Sequence, residues 1–134
     1  IPITNTQGIS SAPLINKLTK DIKLNITAVF GLIGVSEITP KLPMIVSVFA
    51  GRIADTGTNP AYLFNHSIEA EYLWASTREV FNIIQAEEVG ADIITVSPEI
   101  FRKYEAMKGK DLQEYSLETV KQFYNNAQEC GFTL

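Results

Sequence analysis

The chain has 134 residues, 46% hydrophobic and 19% charged, enough for one core of ordinary size in one domain or part of one. A formal charge of -4, with the 11 Lys and Arg spread along the chain, argues against a nucleic-acid surface, which needs clustered cations against phosphates. No apolar run reaches the roughly 18 residues of a membrane span, and the single cysteine, Cys130, excludes an internal disulfide and makes the cytoplasm the default expectation.

Residues 1–5 read as a β-strand already in progress at Ile1. Ser10 or Ser11 caps a helix entered through Ala12 and Pro13 and running to about Lys20, with Leu14, Ile15 and Leu18 on its buried face. Strands follow at residues 24–30 and 44–49; between them, residues 31–43 are ambiguous, because glycine and two prolines shorten any helix there. Asn59-Pro60 starts another helix, and residues 72–75 form the next strand. Ser76-Thr77-Arg78-Glu79 then reads as a capping box, the Ser76 hydroxyl accepting the Glu79 amide, ahead of a helix that stops at Gly90. Residues 93–96 are a fifth strand, and Ser97-Pro98-Glu99 opens a helix that ends near Gly109. The last helix, after Ser116, sets Leu117, Val120, Phe123 or Tyr124, and Ala127 at helical spacing before Gly131.

Taking Ile3, Ile26, Val46, Leu73 and Ile94 as strand middles, the spacings are 23, 20, 27 and 21 residues, the beat of successive βα units. Runs apolar on both faces, such as 44–49, suit a parallel sheet covered by helices. The class is therefore α/β, either a (β/α) barrel or a doubly wound sheet. A complete eight-stranded barrel takes roughly 250 residues, so five units read as part of a larger one, with two unpaired edges when isolated.

Reactive groups of parallel barrels sit at the carboxyl ends of the strands and in the loops that follow. There the run Ser-Val-Phe-Ala-Gly-Arg-Ile, residues 47–53, ends in a glycine and a lone arginine, and the guanidinium fork of Arg52 matches a phosphate bidentately. Arg78 falls in the first turn of an expected helix, where the dipole disfavours a cation by roughly 0.3–1 kcal/mol. One anionic ligand shared with Arg52 accounts for both; the bland alternative is two solvated arginines. His66 lacks partners at metal-ligand spacing and reads as a surface or packing residue. Cys130 has no base nearby, Glu69-Glu71 and Glu87-Glu88 read as solvated helix faces, and Trp74 reads as core or pocket wall.

Five stretches recur in order over the whole chain: Ile-Pro-Ile-Thr-Asn-Thr-Gln-Gly at the start, Leu-Asn-Ile-Thr at 24–27, Ser-Val-Phe-Ala-Gly-Arg-Ile-Ala-Asp-Thr-Gly at 47–57, Trp-Ala-Ser-Thr-Arg-Glu at 74–79, and Gly-Lys-Asp-Leu with Tyr-Ser-Leu-Glu-Thr-Val near the end. On these residues the chain resembles the C-terminal part of the transaldolase family, in the compact subfamily that includes fructose-6-phosphate aldolases. The resemblance implies a (β/α)8 TIM barrel, represented here by about five βα units (strands 4 to 8), with residues 1–134 the C-terminal part of a single barrel domain. It implies class I aldol chemistry in the pentose phosphate pathway: a barrel lysine forms a Schiff base with a ketose phosphate, and the retained dihydroxyacetone unit passes to another aldehyde, with no cofactor and no metal.

By position, the resemblance makes Asn25 and Thr27 catalytic residues beside the Schiff base, Thr27 helping to hold a water, and makes Ser47, Phe49, Arg52 and Arg78 substrate-binding residues. Phe49 stands where the family's transaldolases tend to carry Phe and its aldolases Tyr, which favours transfer over cleavage. The Schiff-base lysine is implied directly before Ile1 and the proton-transfer acids on earlier strands, so the 134 residues are expected to be inactive by themselves. Lys17, Lys20, Lys23, Lys103, Lys108 and Lys110 read as solvated rather than as substitutes. Sugar phosphates are the expected partners, without nucleic acid or membrane, and the intact enzyme is expected to be a homo-oligomer. The alternatives are a fructose-6-phosphate aldolase, or a non-catalytic half barrel that binds a sugar phosphate or completes a partner.

Overall fold

Four strands, β1 (Asn25–Val29), β2 (Ile45–Val48), β3 (Glu71–Trp74) and β4 (Ile93–Ile94), lie side by side in chain order and are all parallel. The computed structural model describes residues 1–65 and 68–131. Among the described residues five helices accompany the strands: α1 (Ala12–Leu18), α2 (Ala50–Ala54), α3 (Phe81–Glu88), α4 (Pro98–Met107) and α5 (Leu112–Glu129), with a 3-10 turn over Pro60–Leu63. A doubly wound sheet reverses its strand order at a switch point. The unbroken order here is the one expected for an arc of a barrel.

The expected first strand is present only as an edge bridge. Pro2 pairs with Thr27 in parallel, the Thr27 amide donates to the Ile1 carbonyl at 2.9 Å, and the Ile3 amide donates to the Thr27 carbonyl at 3.0 Å. Pairing ends there because the chain turns back: Asn5 Oδ1 accepts the amides of Gln7 and Ile9 at 2.9 and 3.0 Å, and Thr4 bridges Ser10 in the antiparallel sense.

Several expected boundaries move for local reasons. Residues 31–43 form hydrogen-bonded turns rather than a helix, closed by Val35 and Ile38, both buried. Asn59 Oδ1 accepts the Ala61 amide at 3.0 Å but starts only the 3-10 turn. The α5 helix begins at Leu112, ahead of Ser116, because Asp111 Oδ1 accepts the Gln113 and Glu114 amides, each at 2.9 Å. Glu71 opens β3 rather than lying on a helix face.

Side chains alternate across a strand. Ile26, Val46, Val48, Tyr72 and Trp74 fall on one face, each 1% exposed or less, and pack with Ile15, Leu63, Phe64 and Ala86 into the core. Asn25, Ile45, Ser47, Leu73 and Ile93 fall on the other. The chain divides into two compact units, residues 1–101 and 102–134. All four strands and every candidate residue belong to the first. In the second, α5 exposes Leu117, Val120 and Phe123, which helical spacing alone would assign to a buried stripe.

Candidate functional site

The site begins with an irregularity. Asn25 pairs with Ile45 and Ile26 with Val46, but the next match is Val29 with Val48, so Thr27 and Ala28 together oppose Ser47. This is a β-bulge, a device that re-aims side chains. Ala28 takes φ +56, a left-handed conformation that costs a residue with a Cβ roughly 1–2 kcal/mol.

Ser47 is polar yet buried, and its hydroxyl donates to Asn25 Oδ1 at 2.7 Å. That bond satisfies the Ser47 donor and leaves the two Asn25 Nδ2 hydrogens for a ligand. Thr27 is tied through its backbone to Ile1 and Ile3 rather than to this pair. Phe49, two residues beyond Ser47, caps α2, and its amide donates to the Val29 carbonyl at 2.9 Å. Its ring is tilted against Phe30 at 5.6 Å and lies beneath the Arg52 guanidinium at 5.4 Å. Arg52 is thus an exposed residue of α2, one turn past the strand end.

α2, which follows β2, and the loop after β3 meet at Gly51. Its amide donates to the Ala75 carbonyl at 3.3 Å, and a Cβ there would stand 1.7 Å from the Ser76 carbonyl oxygen and 3.0 Å from Arg78 Cγ. Only glycine permits that approach. Arg78 accordingly lies against the backbone that carries Arg52.

Arg78 precedes α3 by three residues, so the helix-dipole argument for it does not apply. The capping box does not form either: Ser76 takes φ +64, and the buried Asn82 accepts the Arg78 and Glu79 amides on Oδ1 at 2.8 and 3.2 Å. Asn82 Nδ2 in turn donates to Gln85 Oε1 at 2.8 Å. The Arg78 guanidinium donates through Nη2 to Asp55 Oδ2 at 2.8 Å, both side chains about half exposed.

The structure therefore groups Asn25 with Ser47, Phe49 with Arg52, and Arg78 with Gly51. Sequence pattern gave Gly51 only a strand-ending role and gave Phe30 and Asn82 none. Asn82 alone carried a signal, an Asn four residues after Arg78, where its side chain competes for backbone amides.

Cavities border both ends of the sheet. One of about 530 Å3 lies at the amino ends of the strands, lined by Lys23, Lys41, Met44, Glu69 and Glu71, and contains none of the candidate residues. The other, about 420 Å3 and lined by Ile3, Thr4, Ala28, Phe30, Gly31 and Ile33, borders the bulge at the carboxyl end.

The remaining residues carry less. A hydrogen bond to Glu105 raises the Lys108 pKa above 10.5, and one to Glu118 does the same for Lys110. Both shifts run opposite to the lowered pKa that a nucleophilic lysine needs. Trp74 is a core residue, stacked on Phe64 at 5.3 Å. Glu87 and Glu88 are exposed on α3, and Cys130 is exposed at the C-cap of α5. Among the described residues no three of His, Cys, Asp and Glu converge as metal ligands, and no helix is long and apolar enough to cross a membrane. His66 lies outside the described residues.

A family model described as Transaldolase/Fructose-6-phosphate aldolase matches residues 1–134. A probable transaldolase of Caldicellulosiruptor saccharolyticus is 30% identical over 127 residues, covering 88% of this chain and 56% of the relative. One from Clostridioides difficile is 32% identical over 105 residues, covering 72% and 47% respectively, and one from Methanococcus maripaludis is 28% identical over 111 residues, covering 77% and 50%. The chain spans about half the length of the curated relatives it matches.

Proposed function

The chain belongs to the transaldolase/fructose-6-phosphate aldolase family, and on that premise we propose that it forms strands 4 to 8 of a (β/α)8 barrel whose complete enzyme is a transaldolase. The enzyme moves a dihydroxyacetone unit between sugar phosphates of the pentose phosphate pathway, in the cytoplasm, through a Schiff base.

One observation carries the reading. Ile1 and Ile3 turn toward the core, so by strand alternation Pro2 and the position before Ile1 fall on the face that holds Asn25 and Ser47. A lysine there, as the resemblance implies, would share that face with Asn25 and Ser47. Its free amine adds to the ketose carbonyl and water leaves. A carboxylate, expected on an earlier strand, takes the proton of the hydroxyl beside the scissile bond; the carbon–carbon bond breaks, its electron pair passes into the protonated imine to leave a neutral enamine, and an aldose phosphate departs. Addition of the retained unit to a second aldehyde runs the same steps backwards.

In this scheme Asn25 donates through Nδ2 to a hydroxyl of the bound unit, Ser47 holds the Asn25 amide in that orientation, and Thr27 helps to hold a water. Arg52 and Arg78 take the phosphate. Phe49 offers an apolar wall where a tyrosine would add a proton donor, which favours retention of the three-carbon unit for transfer.

Borohydride reduction of the full-length protein with fructose 6-phosphate tests the reading: one reduced three-carbon adduct per chain is expected in the mass spectrum. An unmodified protein would refute the Schiff base, and free dihydroxyacetone accumulating without an acceptor would make the enzyme an aldolase.

A further inference from the structure

We propose that Asp55 is a positioning residue for anion recognition, holding one edge of the Arg78 guanidinium so that its remaining donors face a phosphate shared with Arg52. The proposal rests on the reading of Arg52 and Arg78 as phosphate contacts.

Arg78 is gripped at three points. The buried Asn82 side chain accepts its amide at 2.8 Å, its Cγ lies against Gly51, and its Nη2 donates to Asp55 Oδ2 at 2.8 Å. Asp55 closes α2, its own amide donating to the Gly51 carbonyl at 3.0 Å, so the carboxylate rides on the same short turn as Arg52. Both guanidinium groups are thereby linked to α2. Arg52 is held differently, over the Phe49 ring.

The Asp55 contact engages one terminal nitrogen of a group with five N–H donors, so Nη1 and Nε do not serve Asp55. A long side chain anchored beforehand loses less freedom when a ligand arrives. The opposite role, a carboxylate that competes with the ligand for Arg78, reverses the sign of every effect below.

The test compares Asp55→Ala and Asp55→Asn in the full-length protein, with fructose 6-phosphate and unphosphorylated fructose as donors and inorganic phosphate as a competitive inhibitor. Asp55→Ala is expected to raise KM for fructose 6-phosphate and the inhibition constant for phosphate about two- to fivefold, the range of a half-exposed ion pair. The effect on kcat should be smaller than on KM, and the effect on fructose smaller than on its phosphate. Asp55→Asn keeps an acceptor oxygen and should recover part of the loss; if Asp55→Ala does not fold, a raised phosphate inhibition constant in Asp55→Asn is the expected result. Tighter phosphate binding, no change, or equal losses with both donors would overturn the proposal. Arg78→Ala separates it from the reading beneath it. If that variant keeps its preference for phosphorylated donors, the phosphate role of Arg78 fails; if it loses the preference while Asp55 variants keep theirs, only the role of Asp55 fails.

Discussion

On the face of the sheet turned to the core, Ile26, Val46, Val48, Tyr72 and Trp74 are packed with no more than 1% exposure, while the opposite face carries Asn25 and Ser47, joined by a 2.7 Å hydrogen bond, beside Leu73 and Ile93. The first set works by volume and apolar area, which stabilise without specifying partners. The second commits single donors and acceptors to fixed positions. A substitution on one face should therefore act mainly on stability, and on the other mainly on activity.

The largest effect is expected on the core face. Trp74→Ala should lower the unfolding free energy of the full-length protein by about 3–5 kcal/mol in urea denaturation; a loss below about 1 kcal/mol would remove Trp74 from the core and blur the contrast. Gly51→Ala comes next and tests the junction where α2 and the loop after β3 meet. Its Cβ would collide with the Ser76 carbonyl, an overpacking cost of about 1–3 kcal/mol. Because α2, which carries Arg52, and the loop carrying Arg78 must separate, KM for fructose 6-phosphate should rise well above that for fructose, and equal changes would show that the contact does not hold the arginines together.

Ser47→Ala should cost least in stability, about 1 kcal/mol for one hydrogen bond lost. It should nevertheless lower kcat by more than its thermal shift suggests, since Asn25 loses the donor that orients it. A variant with unaltered kcat would place Ser47 in the core account rather than the chemical one.

Elements carried by local pattern were legible beforehand. β2 and β3 fall inside or within one residue of the expected runs, and α1 starts at Ala12 with Ser10 Oγ accepting its amide at 3.2 Å. Shifts arose where two local signals competed. At α3 the Asn82 side chain took the Glu79 amide that the Ser76 pattern claimed, and the Arg78 amide with it, and the helix began four residues after Thr77, at Phe81. At α5, Asp111 capped earlier than the apolar spacing after Ser116 suggested.

The sequence by itself determined the βα beat, the parallel sheet, the family and the residue types at the strand ends, because strand and helix periodicity and an ordered set of motifs are read along the chain. Only the tertiary structure decided that Ser47 bonds Asn25, 22 residues away, that Asp55 holds Arg78, 23 residues away, and that Gly51 lies on the Ser76 carbonyl. Those contacts join successive βα units. They depend on the register of parallel strands and on a one-residue bulge at Thr27 and Ala28, neither of which leaves a local trace in the chain.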